Sequence, residues 1–276
     1  MNKKIITILA VFTIFLAIGT VNAGFLDFLG TSDSSANNDN NTFVVGFCSE
    51  FPPFAYRTDN GSYTGFDLAL AEEVCARNNW TFKAQPIINW DSKKVEVDSG
   101  EIDCIWSEFT INGRENDYEW SDPYFNNTQV FVVKSDSNIS SIGDLKGKTV
   151  EVLGESSGAD ALKTGNKTIA DTFGKTNEIK DYNTAFMDLD SGACDAVLVD
   201  VGSANYQMTG KFNSTGFKII NEPLTYEQYG VGFKKGNTEL RDQVQKTLDE
   251  MFKDGTIDKI AQNYSDYEIP QNLIRP

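Results

Sequence analysis

Four kinds of chemistry can be weighed from residue types and spacing alone. The 276-residue chain has no histidine, so proton transfer near neutral pH would fall to aspartate or glutamate, and no paired-carboxylate motif stands out. Its four cysteines, Cys48, Cys75, Cys104 and Cys194, are scattered without CxxC spacing, and with no histidine to help them a metal centre is not expected. They read either as buried free thiols or, in an exported chain, as a disulfide whose partners the sequence does not choose. Anion binding is the fourth, and here one stretch has a suitable form. Gly154-Glu155-Ser156-Ser157-Gly158 stands between a strand-like run and an Ala-containing helix start. Amides of a helix's first turn are unpaired and attract anions, and a serine there also serves as an N-cap.

The elements that would carry such a site alternate between strand and helix, the mark of parallel α/β architecture. Residues 43–47 and 102–106 read as strands, and 67–78 as a helix with Leu68, Ala71, Val74 and Cys75 on one face and Asp67 as its cap. Residues 130–134 form a further β-rich run. The pattern restarts with a strand at 148–153. Asp190-Ser191-Gly192-Ala193-Cys194-Asp195-Ala196-Val197 then repeats the form of Asp98-Ser99-Gly100-Glu101-Ile102-Asp103-Cys104-Ile105: a helix ends at glycine and an aspartate opens an apolar strand. The tail adds a short strand at 230–233, a helix capped by Thr238 and a last helix capped by Thr256. Two lobes crossed twice by the chain, near Lys134 and Asn221–Leu224, would leave a cleft between them.

Composition narrows the setting. With 24 basic and 40 acidic residues the formal charge is −16, which repels phosphate backbones and argues against nucleic acid as a partner. Lys3 and Lys4, the apolar run 5–21 and Val21-Asn22-Ala23 have the order of a secretory signal over residues 1–23. An uncleaved membrane anchor is the alternative. Residues 24–42, rich in Ser, Asn and Asp, read as a flexible linker. Of eight Asn-x-Ser/Thr sequons, including Asn60, Asn126 and Asn213, some could be glycosylated on an exported chain.

Three stretches then resemble the family 3 extracellular solute-binding proteins of polar amino acid ABC importers. The first is Phe51-Pro52-Pro53-Phe54 with Gly61 and Gly65-Phe66-Asp67-Leu68-Ala69-Leu70-Ala71. The second runs from Asp103-Cys104-Ile105-Trp106 through Thr110-Ile111-Asn112-Gly113-Arg114 to Trp120-Ser121-Asp122-Pro123-Tyr124. The third comprises Asp144-Leu145-Lys146-Gly147-Lys148-Thr149-Val150, Ser156-Ser157 and Asp195-Ala196-Val197-Leu198-Val199-Asp200. The resemblance spans about 43–267. It implies a two-lobed periplasmic-binding-protein-like (type II) fold, each lobe a mostly parallel sheet flanked by helices. Lobe 1 would hold residues 43–133 and 224–276, and lobe 2 residues 134–223.

The same resemblance implies a function and its residues. A free amino acid, polar or cationic, would be captured between the lobes by an exported, monomeric, non-enzymatic protein and delivered to ABC permease subunits, without a cofactor. Sensing by a membrane-anchored form and a dehydratase on the same fold are the alternatives. Arg114 matches the family's carboxylate-binding arginine, suited to it by a permanently charged fork that grips both oxygens. Thr110 would assist, although the loop is shorter than usual and Asn112 competes for that role. Ser156 and Ser157 would add donors from the other lobe. Asp200 matches the ammonium-binding aspartate. Phe51 and Trp90 match the aromatic walls. Cys48, Glu50 and Glu108 occupy positions expected to set specificity, and Glu108 stands where a small residue is usual.

Overall fold

The computed structural model describes residues 41–210, 212 and 216–276. The expected signal and most of the linker, with Asn213, lie outside them. The first described element starts one residue before the expected Phe43: Thr42–Phe47 is a strand, and the Asn41 side chain donates to Asn79 O.

Two sheets form the frame. The first has the order Thr81–Pro86, Thr42–Phe47, Cys104–Ile105, Gly232–Phe233, Glu119–Trp120. Its first three strands run parallel and its last two pairings are antiparallel. The second has the order Lys175–Ile179, Thr149–Leu153, Ala196–Asp200, Phe125–Lys134, Phe217–Ile219, and Thr225–Tyr229 also pairs with the long strand. Both sheets are mixed but mostly parallel as expected: a single strand in each, Gly232–Phe233 in the first and Phe125–Lys134 in the second, runs against the others. The long central strand Phe125–Lys134 is antiparallel to all three of its neighbours.

That strand also corrects the expected lobe boundaries. Residues 125–133 and 225–229, expected in lobe 1, pair within the second sheet, so the chain changes sheets near 124 and 230 rather than 134 and 224. The polar run Asn126-Asn127-Thr128-Gln129 hides the first half of the strand from an apolar-pattern reading. Asn127 and Gln129 are polar because alternation turns them both to the face where the cleft lies. Phe54, Phe125 and Tyr229 pack together at the two crossings, with ring centroids 5.2–5.5 Å apart.

The repeated Gly…Asp unit has a shared geometry. Gly100 and Gly192 end their helices in the left-handed region, at φ +80° and +79°. Three residues on, Asp103 Oδ2 accepts the Val44 N–H at 2.7 Å and Asp195 Oδ2 accepts the Thr149 N–H at 2.9 Å. Each aspartate thus ties its strand to the start of the neighbouring parallel strand. Asp103→Ala is expected to cost roughly 1–2 kcal/mol, read as a lowered denaturant midpoint.

Helix starts differ from expectation by a residue. Asn237 and Gly255 are the N-caps where Thr238 and Thr256 were expected. Helix Phe66–Arg77 is capped by Gly65, at φ +137°, where a Cβ would lie 2.1 Å from Phe54 O. Asp67 is therefore not a cap but a buried first-turn carboxylate, because close contact with the Phe54 backbone leaves room only for glycine before Phe66.

Candidate functional site: the cleft between the sheets

Asp200 ends the second sheet's parallel strand, and helix Val201–Thr209 begins at the next residue. That helix is held against the first lobe by Ser203 Oγ, which donates to Pro52 O at 2.8 Å. Asp200 is 3% exposed, and its Oδ1 accepts from Gln129 Nε2 at 2.8 Å and from Asn127 Nδ2 and Tyr229 Oη at 2.5 Å. Burial, then the neighbouring Glu227 carboxylate, pushes its carboxyl up to about 7.

From the first sheet, strand Cys104–Ile105 leads into a turn that carries Ser107, Glu108 and Thr110. Glu108 takes φ +41°, unusual for a side chain with a Cβ, and its N–H is caught by Asp67 Oδ2 at 2.6 Å. The Ser107 hydroxyl stands 2.7–2.8 Å from both Glu108 carboxylate oxygens. Burial, then Asp67, holds the Glu108 carboxyl well above the usual range. Thr110 Oγ1 donates to Glu227 Oε2 at 2.9 Å. Asn112 does not compete with Thr110 for the cleft: its Oδ1 accepts the Gln228 N–H at 2.8 Å.

Arg114 reaches across to the second sheet's side. Its Nη2 pairs with Asp160 Oδ2 at 2.9 Å, and its guanidinium lies 5.7 Å over the Phe109 ring. Asp160 belongs to helix Ser157–Lys163, opened by the serine pair. Ser156 acts as the cap: its Oγ accepts the Ala159 N–H at 3.1 Å and donates to Leu153 O at 2.6 Å. Ser157 Oγ is turned the other way and donates to Glu227 Oε2 at 3.0 Å. Phe51 packs edge-on against Tyr182 at 5.4 Å, and Trp90 against Phe109 at 6.0 Å, with Lys93 Nζ 5.2 Å over the Trp90 ring.

All eight residues singled out by sequence thus line one cleft of about 680 Å³, a size suited to a small molecule. Cys48 and Glu50 line it too. The four cysteines are free, and burial, reinforced by Glu108, pushes the Cys48 thiol up to about 12, so it is not a nucleophile at neutral pH. Sequence reasoning missed Glu227, Asn127, Gln129, Asp67 and Asp160. Only Asn127 and Gln129 left a signal: polar residues two apart on an otherwise apolar strand.

Buried acids give the cleft a pH signature. Burial raises Asp67 to about 7, against hydrogen bonds from Glu108 N–H and Tyr124 O–H. A carboxyl raised on folding stabilises the fold fully below its unfolded value near 4, and that contribution is lost as pH rises through about 7. With Asp200 shifted the same way, ligand-free protein is expected to melt at lower temperature at pH 8 than at pH 5, read by calorimetry. An opposite slope would contradict these assignments.

Two mixed sheets crossed twice by one chain, with an arginine and an aspartate lining the cleft between them, have the architecture of a two-lobed binding protein. The chain belongs to the bacterial extracellular solute-binding proteins, family 3, which it matches over residues 43–267. It is 31% identical over 249 residues to a probable amino-acid-binding protein of Bacillus subtilis, covering 87% of this chain and 90% of that one. Among solved structures it is similar to an ABC uptake transporter substrate-binding protein from Streptococcus pneumoniae with bound histidine, at 30% identity and a TM-score of 0.78. That match covers 82% of this chain and 93% of the other. It is similar also to an ancestral arginine-binding protein bound to arginine, at 35% identity and a TM-score of 0.74, covering 81% and 98%. No helix among the described residues is long and apolar enough to cross a membrane.

Proposed function

We propose that the protein captures a free amino acid, polar or cationic, in this cleft and delivers it to the permease subunits of an ABC importer. The observation that carries the proposal is the placement of Arg114 and Asp200 on opposite walls of one cavity. A zwitterion needs a cation at one end and an anion at the other. In this reading the ligand carboxylate takes Arg114 over from Asp160, which is 54% exposed and returns to water at little cost. Thr110 and Ser157 add hydroxyls from the two lobes, and Phe51 and Trp90 flank the side chain. Because both lobes contribute, the ligand stabilises the closed arrangement over the open one. Glu108, held in a strained conformation beside Asp200, supports a ligand with positive rather than negative character.

The buried acids of the cleft are tied into hydrogen bonds rather than set up as an acid and a base, which supports a binding role without turnover. Export, and action as a monomer at the outer face of the membrane, complete the proposal. A thermal-shift screen of ligand-stripped protein against the common amino acids tests it. Ligand at 100 times its Kd should add about 2.7 kcal/mol of stability. Stabilisation by none of them, or by aspartate and glutamate alone, would count against it, and chemical change of a bound amino acid would point to an enzyme.

A further inference from the structure

Glu227 is absent from the residues the sequence pointed to, yet it holds the two lobes' hydroxyls together. It is 5% exposed, on the strand Thr225–Tyr229 that leads back to the first sheet. Besides Thr110 Oγ1 and Ser157 Oγ, its Oε2 has Asn127 Nδ2 at 3.3 Å and Gln129 Nε2 at 3.4 Å. Those same two amide groups donate to Asp200 Oδ1. Two buried carboxylates on different strands thus share one pair of donors.

The surroundings offer no counter-charge. Among the described residues no Lys or Arg nitrogen pairs with Asp200 or Glu227; the Arg114 guanidinium, which lines the same cleft, goes to Asp160 and Thr110 O. The titratable groups facing the pair are acids or neutral: Glu108 and Cys48 from the first lobe, Tyr182 from helix Tyr182–Ser191, and Tyr229 from Glu227's own strand. Acceptors are in excess as well. Asn127 and Gln129 are each 1% exposed, and their oxygens, Oδ1 and Oε1, have no hydrogen-bond partner; the buried Tyr182 hydroxyl has none either. Such a cluster lacks a positive charge with several N–H or O–H donors. Two adjacent buried carboxylates without a cation cannot both ionise cheaply.

We infer that Glu227 is the second carboxylate of the ammonium receptor, standing beside an Asp200 that holds a proton until the ligand's primary ammonium takes that proton's place. This rests on the amino-acid reading above. The upward shift of Asp200, caused first by burial and next by Glu227, agrees with it. The exchange balances: the ammonium enters with its three hydrogens, one proton leaves Asp200 for solvent, and the net charge of the site, ammonium included, is unchanged. Capture near neutral pH therefore releases up to one proton per ligand. Affinity rises with pH until Asp200 ionises unaided.

Titration calorimetry of ligand-stripped protein with L-arginine, L-lysine, L-glutamine and L-asparagine, at about pH 6.5 in phosphate and again in imidazole, counts the protons. Heats for a binding amino acid should differ between the buffers by the equivalent of roughly one proton released. In Glu227→Gln affinity should fall, and the binding that remains at raised protein concentration should show no difference between the buffers. Equal heats in both buffers for the wild type, or undiminished release in Glu227→Gln (which would place the proton on Glu108 or Asp67), would overturn the inference while leaving amino-acid binding intact. Failure of these four and of every other common amino acid to bind would overturn both. Should Glu227→Gln not fold, infrared difference spectra of the wild type give the answer. A protonated-carboxyl band must be present without ligand and lost on its addition, and its persistence would refute the exchange.

Discussion

Replacing Arg114 with alanine is expected to abolish amino-acid-dependent stabilisation while leaving the fold intact. A guanidinium gripping a carboxylate through two charge-assisted bonds contributes roughly 1.5–3 kcal/mol per bond, so affinity should fall by at least about 100-fold. The cost to the fold should be small for stated reasons. Arg114 is 16% exposed, and its main structural partner, Asp160, is open to water once released. The Trp120 indole donates to the Arg114 backbone oxygen, at 3.1 Å, a bond that alanine keeps. Arg114→Lys should fall between the two, since it retains the charge but not the fork. Calorimetric Kd values beside ligand-free melting temperatures would check this. A variant that binds as tightly as the wild type would remove Arg114 from the account.

Asp67→Ala should have the opposite profile, with a large loss of stability. The carboxylate is fully buried and is the acceptor for two donors, the Glu108 N–H at 2.6 Å and the Tyr124 O–H at 2.8 Å. Each donor left unpaired in the interior costs roughly 1–3 kcal/mol, and the side chain's removal leaves a cavity besides. A total of about 3–5 kcal/mol should lower the melting temperature by roughly 10 °C in a chain of this size. The site should suffer too, because the turn that presents Glu108 at φ +41° loses the contact that holds it. Asp67→Asn, which keeps an acceptor, should be milder. A melting temperature for Asp67→Ala within two or so degrees of the wild type would refute this assignment.

How far the site could be read in advance followed from how local each signal is. Thr110 and Arg114 lie in one short stretch, Ser156 and Ser157 are adjacent, and Asp200 closes an apolar run, so ordered motifs sufficed to bring them forward. The Gly100…Asp103 and Gly192…Asp195 echo was equally legible, because a helix stop and a strand start are written within four residues. Asp67 was misplaced as a cap because its partners, at 108 and 124, are far along the chain and a first-turn aspartate looks like a cap from its neighbours alone. Glu227 was missed for a similar reason: it meets Thr110, Asn127 and Ser157 only once segments 70–117 residues apart are brought together. The lobe boundary slipped because Asn127 and Gln129 interrupt the apolar pattern of their strand at the place where the cleft needs polar groups.

A crystal structure of the protein with its preferred amino acid bound is the decisive test of the Arg114–Asp200 clamp. The ligand carboxylate is expected within hydrogen-bond distance of the Arg114 guanidinium, with Asp160 displaced from it, and the ammonium on Asp200 with the side chain between Phe51 and Trp90. An amino acid seated elsewhere, or held in the cleft with the Arg114–Asp160 pair still closed and Asp200 untouched, would contradict it.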